Sequence, residues 1–254
     1  MWIIKPICIA FSIYSKIPVP QFEWKDKEMK YMLCFFPWIG VVIGIMTVGW
    51  GYLCGQFEIG NLCYSLVGTA IPLVITGGFH IDGYMDTMDA FHSYQEKEKK
   101  LEILKDPHLG AFSVIMLVLY YLIYIGMYSE ISDIKLLAMV GMGFVISRAL
   151  SGISVVTFQS AKKEGLLYLF ADRAHEKVVK TTLYLQLLVS SLMILWLSVR
   201  VGILVLILAG GSFIYYMNRS YKEIGGITGD TAGFFVTICE LMVIVAVAIG
   251  GRHL

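Results

Sequence analysis

Long apolar stretches separated by short polar segments make up most of this chain. A helix that crosses a bilayer needs about 20 mostly apolar residues, and seven stretches reach or nearly reach that length. They are residues 33–53, 61–77, 110–128, 136–157, 181–199, 201–217 and 232–250. The pattern therefore predicts an all-α protein, a polytopic bundle of about seven transmembrane helices. Gly40 and Gly44, four residues apart in the first stretch, allow close contact with another helix.

The distribution of basic residues predicts which segments face the cytoplasm. If the N-terminus is cytoplasmic, 16 Lys and Arg residues lie in the inner segments and 3 in the outer ones. Cytoplasmic loops of membrane proteins carry this excess of positive charge. We expect inner segments at 1–32, 78–109, 158–180 and 218–231. The chain is interpreted as one integral membrane domain, 1–254, in which 1–32 is interfacial and 78–109 forms a cytoplasmic loop and helix.

Composition supports this interpretation and excludes one class of partner. Hydrophobic residues make up 57% of the 254 residues and charged residues 15%, whereas soluble domains carry about 25% charged residues. The lipid bilayer is therefore the expected surrounding. A net charge of +1 gives no electrostatic basis for binding nucleic acid.

An acidic motif follows the second predicted span. Asp82, Asp86 and Asp89 are spaced i, i+4 and i+7, so in a helix they fall within an arc of about 60°. Carboxylates this close repel one another, and a divalent cation such as Mg²⁺ relieves that repulsion. A solvated acidic face at a helix start is the alternative. His80 lies beside a metal only if Gly77 and Gly78 bend the chain; otherwise it is structural.

Other polar residues on the predicted inner face are candidates for binding an anion. Lys105 and Asp106 end a charged helix, and Lys105 can hold a phosphate or lie at the membrane interface. Arg148 interrupts an apolar span, where a charged residue is costly and needs a partner. That partner is a substrate phosphate or Glu240, which is otherwise a further metal ligand.

Two loops add to this set. Lys162 and Lys163 form either a basic stop at the membrane edge or an anion site. Gly226 and Thr228 belong to a glycine-rich turn before the last span, where backbone N–H groups can face a phosphate. Alternatively, this turn only begins a helix that Asp230 caps.

Three segments together resemble the cobalamin synthase family, the adenosylcobinamide-GDP ribazoletransferases. They are TGGFHIDGYMDTMDA at 76–90, LKDPHLGAF at 104–112 and GGITGD at 225–230. Shorter similarities occur at 15–20 and 36–40, and also at 147–148 and 163–165. The resemblance extends over nearly the whole chain, and the first segment is long and specific.

This resemblance implies a Mg²⁺-dependent membrane enzyme that acts on the cytoplasmic face. It implies that adenosylcobinamide-GDP reacts with α-ribazole, or its phosphate, to give adenosylcobalamin, or its phosphate, and GMP. Whether the protein forms a homo-oligomer stays open. The expected catalytic residues are Asp82, Asp86 and Asp230, the metal ligands Asp82, Asp86 and Asp89, and the substrate-binding residues His80, Lys105, Asp106, Arg148, Gly226 and Thr228.

Two rival functions fit the sequence less well. CDP-alcohol phosphotransferases also carry Asp-Gly followed by spaced aspartates, but their pattern needs Ala-Arg where Asp86 and Thr87 stand here. A cation transporter requires carboxylates near the middle of the bilayer. The acidic residues of this chain gather at one membrane boundary instead, which favours the transferase.

Overall fold

The chain folds entirely into helices over the residues that its computed structural model describes, 3–22 and 26–252. This confirms the all-α prediction. A 3₁₀ turn at Met32–Phe35 precedes α3. The α-helices are α1 Ile4–Tyr14, α2 Asp26–Met29, α3 Phe36–Gln56, α4 Asn61–Thr76, α5 Phe79–His92, α6 Lys97–Ile103, α7 Ala111–Tyr128, α8 Ile134–Thr157, α9 Gly165–Arg173, α10 Glu176–Leu197, α11 Val199–Ile224 and α12 Gly229–Gly251.

Six of these helices are long and apolar enough to cross a membrane. They are α3 with its preceding turn, α7, α8, α10, α11 and α12, and the bent pair α4 and α5 raises the number to seven. The predicted break between the fifth and sixth spans is confirmed at Ser198, whose side chain caps α11. The cytoplasmic N-terminus and the interfacial role of 1–32 stay predictions, and residues 1–2 and 23–25 of that segment lie outside the described residues.

Helices α8 and α12 form the centre of the bundle. Within their apolar windows 83% and 78% of residues are buried, against 22% in α7 and in α10. The outer helices therefore present their apolar side chains to lipid, while α8 and α12 present theirs to protein. Helix α3 lies against α8 through Gly40 and Gly44, as the spacing of these glycines predicted. A Cβ at Gly40 would lie 2.4 Å from the Phe144 carbonyl oxygen, so only glycine permits this approach.

A sharp turn at Gly77 and Gly78 sets the direction of the acidic motif. Both residues have positive φ, 63° and 83°, which glycine adopts without the steric cost of a side chain. Helix α4 ends at this turn, and α5 begins there at an angle of 93°. The acidic motif is thus carried on a separate helix that packs against the N-terminal part of α12.

Candidate active site

Helices α5 and α12 touch backbone to backbone beside two acidic residues. A Cβ placed on Gly83 would lie 2.8 Å from the carbonyl oxygen of Asp230 and 2.9 Å from its Cα. The absence of a side chain at Gly83 therefore permits this close packing. It brings Asp82, next to Gly83 in α5, near Asp230 in the first turn of α12.

The carboxylates of both helices share one electrostatic environment. Asp86 is half-buried and is repelled by the charges of Asp82, Asp230 and Asp89. Asp82 also repels Asp230, while Lys162 attracts it. The structure thus brings together the three residues that the sequence predicted as catalytic, although Asp230 is separated from the other two by more than 140 positions.

Asp89 has a different environment from the other acidic residues of α5. Its two carboxylate oxygens accept backbone hydrogen bonds from Gly110, at 2.6 Å, and from Ser113, at 2.9 Å. Both donors belong to the start of α7, so Asp89 caps that helix from a distance. Its predicted role as a metal ligand stays a prediction, since each oxygen keeps a second lone pair beside the hydrogen bond that it accepts.

A cleft of about 510 Å³ opens beside these acidic residues. We call it the main cleft. Its acidic wall carries Asp82 and Asp230, and its basic wall carries Lys105 and Lys162. Partial burial, followed by the positive charge of Lys105, lowers the pKa of Lys162 below the ordinary lysine value. Lys105 also pairs with Glu164, which lines the same cleft. Two cations and three carboxylates therefore line the main cleft.

A short backbone pairing holds the loop that carries Lys162 against the loop that precedes α12. Ala161 donates to the Ile227 carbonyl oxygen at 2.8 Å, and Ile227 donates to the Gln159 carbonyl oxygen at 2.9 Å. Gly226 permits this pairing, because a Cβ there would lie 2.5 Å from the Gln159 oxygen. Gly226 therefore supports the cleft through packing. Lys162, which follows directly, is placed by this pairing near the first turn of α12.

Thr228 lines the main cleft and caps α12. Its hydroxyl oxygen accepts the backbone N–H of Thr231 at 3.2 Å, and its backbone N–H donates to the Thr231 hydroxyl at 2.9 Å. The Thr228 hydroxyl also lies 3.3 Å from a carboxylate oxygen of Asp230. The positive end of the α12 dipole consequently faces the cleft, which favours an anion there.

Besides Gly226, three predicted substrate-binding residues do not line the main cleft. His80 is buried and stacks near Tyr14, with ring centroids 6.4 Å apart. Its backbone oxygen accepts the hydroxyl of Thr237 at 3.2 Å, which ties α5 to α12. The bend at Gly77 and Gly78 therefore directs His80 into the bundle. Asp106 is exposed and pairs with His108 at 2.6 Å.

Arg148 is the third of these residues, and its guanidinium is completely buried. It donates to the Glu240 carboxylate at 2.6 Å and to the Phe144 carbonyl oxygen at 2.9 Å. Of the two partners considered for Arg148, a substrate phosphate and Glu240, the structure supplies Glu240, and the role of Arg148 in substrate binding stays a prediction. Two guanidinium nitrogens and His80 Nε2 have no hydrogen-bond partner in the described part of the chain, and these residues line one cavity of about 20 Å³. That volume accommodates a water molecule.

Among the described residues, no three His, Cys, Asp or Glu side chains converge closely enough to form a ready-made metal cage. Mg²⁺ does not require one, since it commonly takes one or two carboxylates together with substrate phosphates and water. Asp82 and Asp230, with Asp86 beside them, offer the hard oxygen donors that such an ion prefers. The residues present therefore fit a cation bound jointly with a phosphorylated substrate.

The sequence did not identify every residue that shapes the site. Gly83 gave no signal beyond its position inside the acidic motif, and Phe79 looked like an ordinary apolar residue. The basic loop was recognised, but only the structure separates Lys162, which lines the cleft, from Lys163, which is exposed outside it. Glu164 was noted only as part of a motif.

Comparison with known proteins gives matches along nearly the whole chain. The sequence profile of the cobalamin-5-phosphate synthase family matches residues 6–248. An adenosylcobinamide-GDP ribazoletransferase of Lachnoclostridium phytofermentans is 44% identical over 244 residues, which cover 95% of this chain and 92% of that protein. Proteins of the same name from Clostridium perfringens and Treponema denticola are 31% and 32% identical, each over at least 93% of both chains. No solved structure matches the chain.

Proposed function

Since the chain belongs to the cobalamin-5-phosphate synthase family, we propose that its main cleft joins adenosylcobinamide-GDP to a ribazole. The family expected from the sequence motifs is thereby confirmed. The reaction places the protein in cobalamin synthesis as a membrane-bound transferase. The acceptor is α-ribazole or its 5′-phosphate, and GMP is the second product.

The transfer is a single displacement at phosphorus. A ribose hydroxyl oxygen of the acceptor bonds to the phosphorus that carries the cobinamide, and the bond from that phosphorus to the bridging oxygen breaks. GMP leaves with the bridging oxygen and its electron pair. The 5′ oxygen of the phosphorylated acceptor is already esterified, so the attacking hydroxyl is another one of the ribose, and the same hydroxyl attacks when α-ribazole is the acceptor. No covalent enzyme intermediate is required.

The basic wall of the main cleft binds the diphosphate in this proposal. Lys105 and Lys162 supply positive charge from one side, and the N-terminus of α12 at Thr228 supplies backbone dipoles from another. These groups neutralise charge that accumulates on the departing GMP. Glu164 holds Lys105 in place until the substrate phosphate competes for it.

In this proposal, the acidic wall accepts the proton of the attacking hydroxyl and binds the cation. Asp230 accepts the proton of the attacking hydroxyl and passes it to water. Asp82 and Asp86 would hold Mg²⁺ together with the substrate, and the ion would supply charge neutralisation and orientation at the diphosphate. Repulsion between these carboxylates favours cation binding, since the cation relieves it.

The single observation that carries this proposal is the pairing of opposite charges across the main cleft. Asp82 and Asp230 face Lys105 and Lys162 around a space of about 510 Å³. Such a site suits a cation and a diphosphate that bind together. The excess of Lys and Arg in the segments that form the cleft supports a position on the cytoplasmic face.

The test is turnover by purified protein in lipid vesicles. Adenosylcobinamide-GDP, α-ribazole and Mg²⁺ are supplied, and GMP release and cobalamin formation are followed together. We expect Asp82→Asn and Asp86→Asn to lower kcat at least about 100-fold, because cation binding contributes several kcal/mol to such transition states. Chelation of Mg²⁺ should have the same effect on the wild type.

A matched control tests whether loss of a carboxylate outside the main cleft also lowers turnover. Asp133 caps α8 through backbone hydrogen bonds from Lys135 and Leu136, and it does not line the main cleft. Asparagine also caps helices, so Asp133→Asn should retain wild-type turnover. Full activity in both Asp82→Asn and Asp86→Asn, or cobalamin formation without GMP release, would disprove the proposed site.

A further inference from the structure

A second cavity lies beside the first turn of α5. Its volume is about 490 Å³, close to that of the main cleft. It opens between the end of α1 and the Gly77–Gly78 turn, and Lys16 lies at its edge. We call it the Lys16 cavity. Phe79 and Asp82 line both cavities, so these two residues form the partition between them.

This arrangement matches the geometry of phosphoryl transfer. Attacking and leaving oxygens lie roughly in line, on opposite sides of the phosphorus. A phosphorus held beside Asp82 would thus have the leaving nucleotide on one side of the partition and the attacking hydroxyl on the other. Building on the proposed function, we propose that the Lys16 cavity binds the acceptor, a nucleoside or nucleoside monophosphate with an apolar base.

The lining of the two cavities decides which substrate each takes. The main cleft carries two lysines and an α-helix N-terminus, which suit a diphosphate. The Lys16 cavity carries one lysine, together with the apolar side chains of Ile13, Ile81 and Met85. These apolar side chains can cover a flat base, while the single cation matches a single phosphate.

Lys16 is held so that its ammonium group remains available. Its backbone N–H donates to the Ile75 carbonyl oxygen at 2.8 Å. Its aliphatic stem covers Gly77, where a Cβ would lie 2.3 Å from Lys16 Cε. Within residues 3–22 and 26–252, Lys16 forms no ion pair. Its position is therefore fixed by the backbone and the stem, and the charge is left for a ligand.

The first test compares phosphorylated and unphosphorylated acceptors. Lys16→Gln should raise the KM for α-ribazole 5′-phosphate about tenfold, as expected for the loss of a partly solvated hydrogen bond to a charged group. The KM for α-ribazole and the KM for adenosylcobinamide-GDP should change less than about twofold. Lys163→Gln is the matched control, because Lys163 is exposed and lines neither cavity.

Two further variants test whether the Lys16 cavity binds the acceptor and the main cleft binds the donor. Ile13→Trp fills the Lys16 cavity, so it should raise the KM for both acceptors and leave the donor KM unchanged. Lys162→Gln, in the main cleft, should raise the donor KM and leave both acceptor KM values unchanged. An increase in the donor KM on substituting Lys16, or unchanged acceptor KM values in both Lys16→Gln and Ile13→Trp, would overturn the inference.

A lipid headgroup is the competing ligand for Lys16, since it also carries a phosphate. The measurements are repeated in vesicles of phosphatidylcholine alone and with phosphatidylglycerol added. If Lys16→Gln removes a dependence of activity on phosphatidylglycerol and leaves the acceptor KM values unchanged, Lys16 binds lipid and the inference is wrong. If the proposed function were wrong, the wild type would show no turnover and no KM could be measured. Turnover by the wild type therefore distinguishes that failure from failure of this inference.

Discussion

The buried pair of Arg148 and Glu240 gives a prediction that separates structure from catalysis. The Arg148 side chain is 0% exposed and that of Glu240 is 7% exposed, so removal of one partner leaves the other isolated from water. Breaking a buried pair in this way costs about 3–5 kcal/mol. Arg148→Met should therefore lower the free energy of unfolding by that amount and the melting temperature by roughly 6–20 °C.

A double-mutant cycle measures how much of this cost belongs to the pair. Replacement of both charges, in Arg148→Met with Glu240→Leu, leaves no isolated charge and should cost less than either single change, by about 2 kcal/mol or more. Glu240→Gln is the matched control, because its amide oxygen still accepts a hydrogen bond from Arg148. The free energy of unfolding of Glu240→Gln should lie between those of the wild type and Glu240→Leu.

The assay is unfolding of the purified protein in detergent or bicelles by titration with a denaturing surfactant, together with thermal melts. Turnover is measured for each variant at a temperature where it stays folded. The reasoning fails if Arg148→Met melts at the same temperature as the wild type. It also fails if the double variant is no more stable than the two single variants. Loss of turnover at unchanged stability would instead support the sequence-based prediction that Arg148 contacts the diphosphate.

Three further predictions concern the main cleft and its supports. Gly83→Ala should lower the melting temperature, because its Cβ clashes with the backbone of Asp230. At a temperature where the variant stays folded, kcat should fall about 10- to 100-fold, since misplacement of a reacting group by about 1 Å costs that much. Asp89→Ala should lower the free energy of unfolding by about 1–2 kcal/mol, since α7 loses its cap; equal surfactant midpoints for variant and wild type would contradict this role. The lowered pKa of Lys162 means that its charge is lost as pH rises through a value below that of an ordinary lysine, so the donor KM should rise there. Lys162→Arg should move that rise to higher pH, because guanidinium stays charged, and a profile of KM against pH decides the matter.

Much of the fold was predictable because the bilayer imposes strong constraints on sequence. A spanning helix satisfies its backbone internally and must be apolar over a known length. For this reason the spans were found close to their observed bounds, including the break near Ser198. The spacing of Gly40 and Gly44 likewise predicted a close helix contact, since small residues permit it wherever a partner helix passes.

The sequence predicted the chemistry of the candidate site but not which groups its residues contact. The period of a helix placed Asp82 and Asp86 on one face, which the sequence alone determines. Whether Asp89 joins them depends on where the start of α7 lies, and the structure places that start against its carboxylate. Similarly, His80 and Arg148 are polar residues in apolar surroundings, and the sequence cannot say whether a substrate or the protein satisfies them.

The sequence by itself determined that this chain crosses the membrane several times, and it carried the motifs of the family. Both follow from local properties, namely hydropathy, helical spacing and short runs of residues. Only the tertiary structure decided that Lys162 faces Asp230, that Glu240 receives Arg148, and that Asp82 stands between two cavities. Those pairings join residues far apart in the chain, and the close approach of helix backbones at Gly83 and Gly226 decides which of them meet.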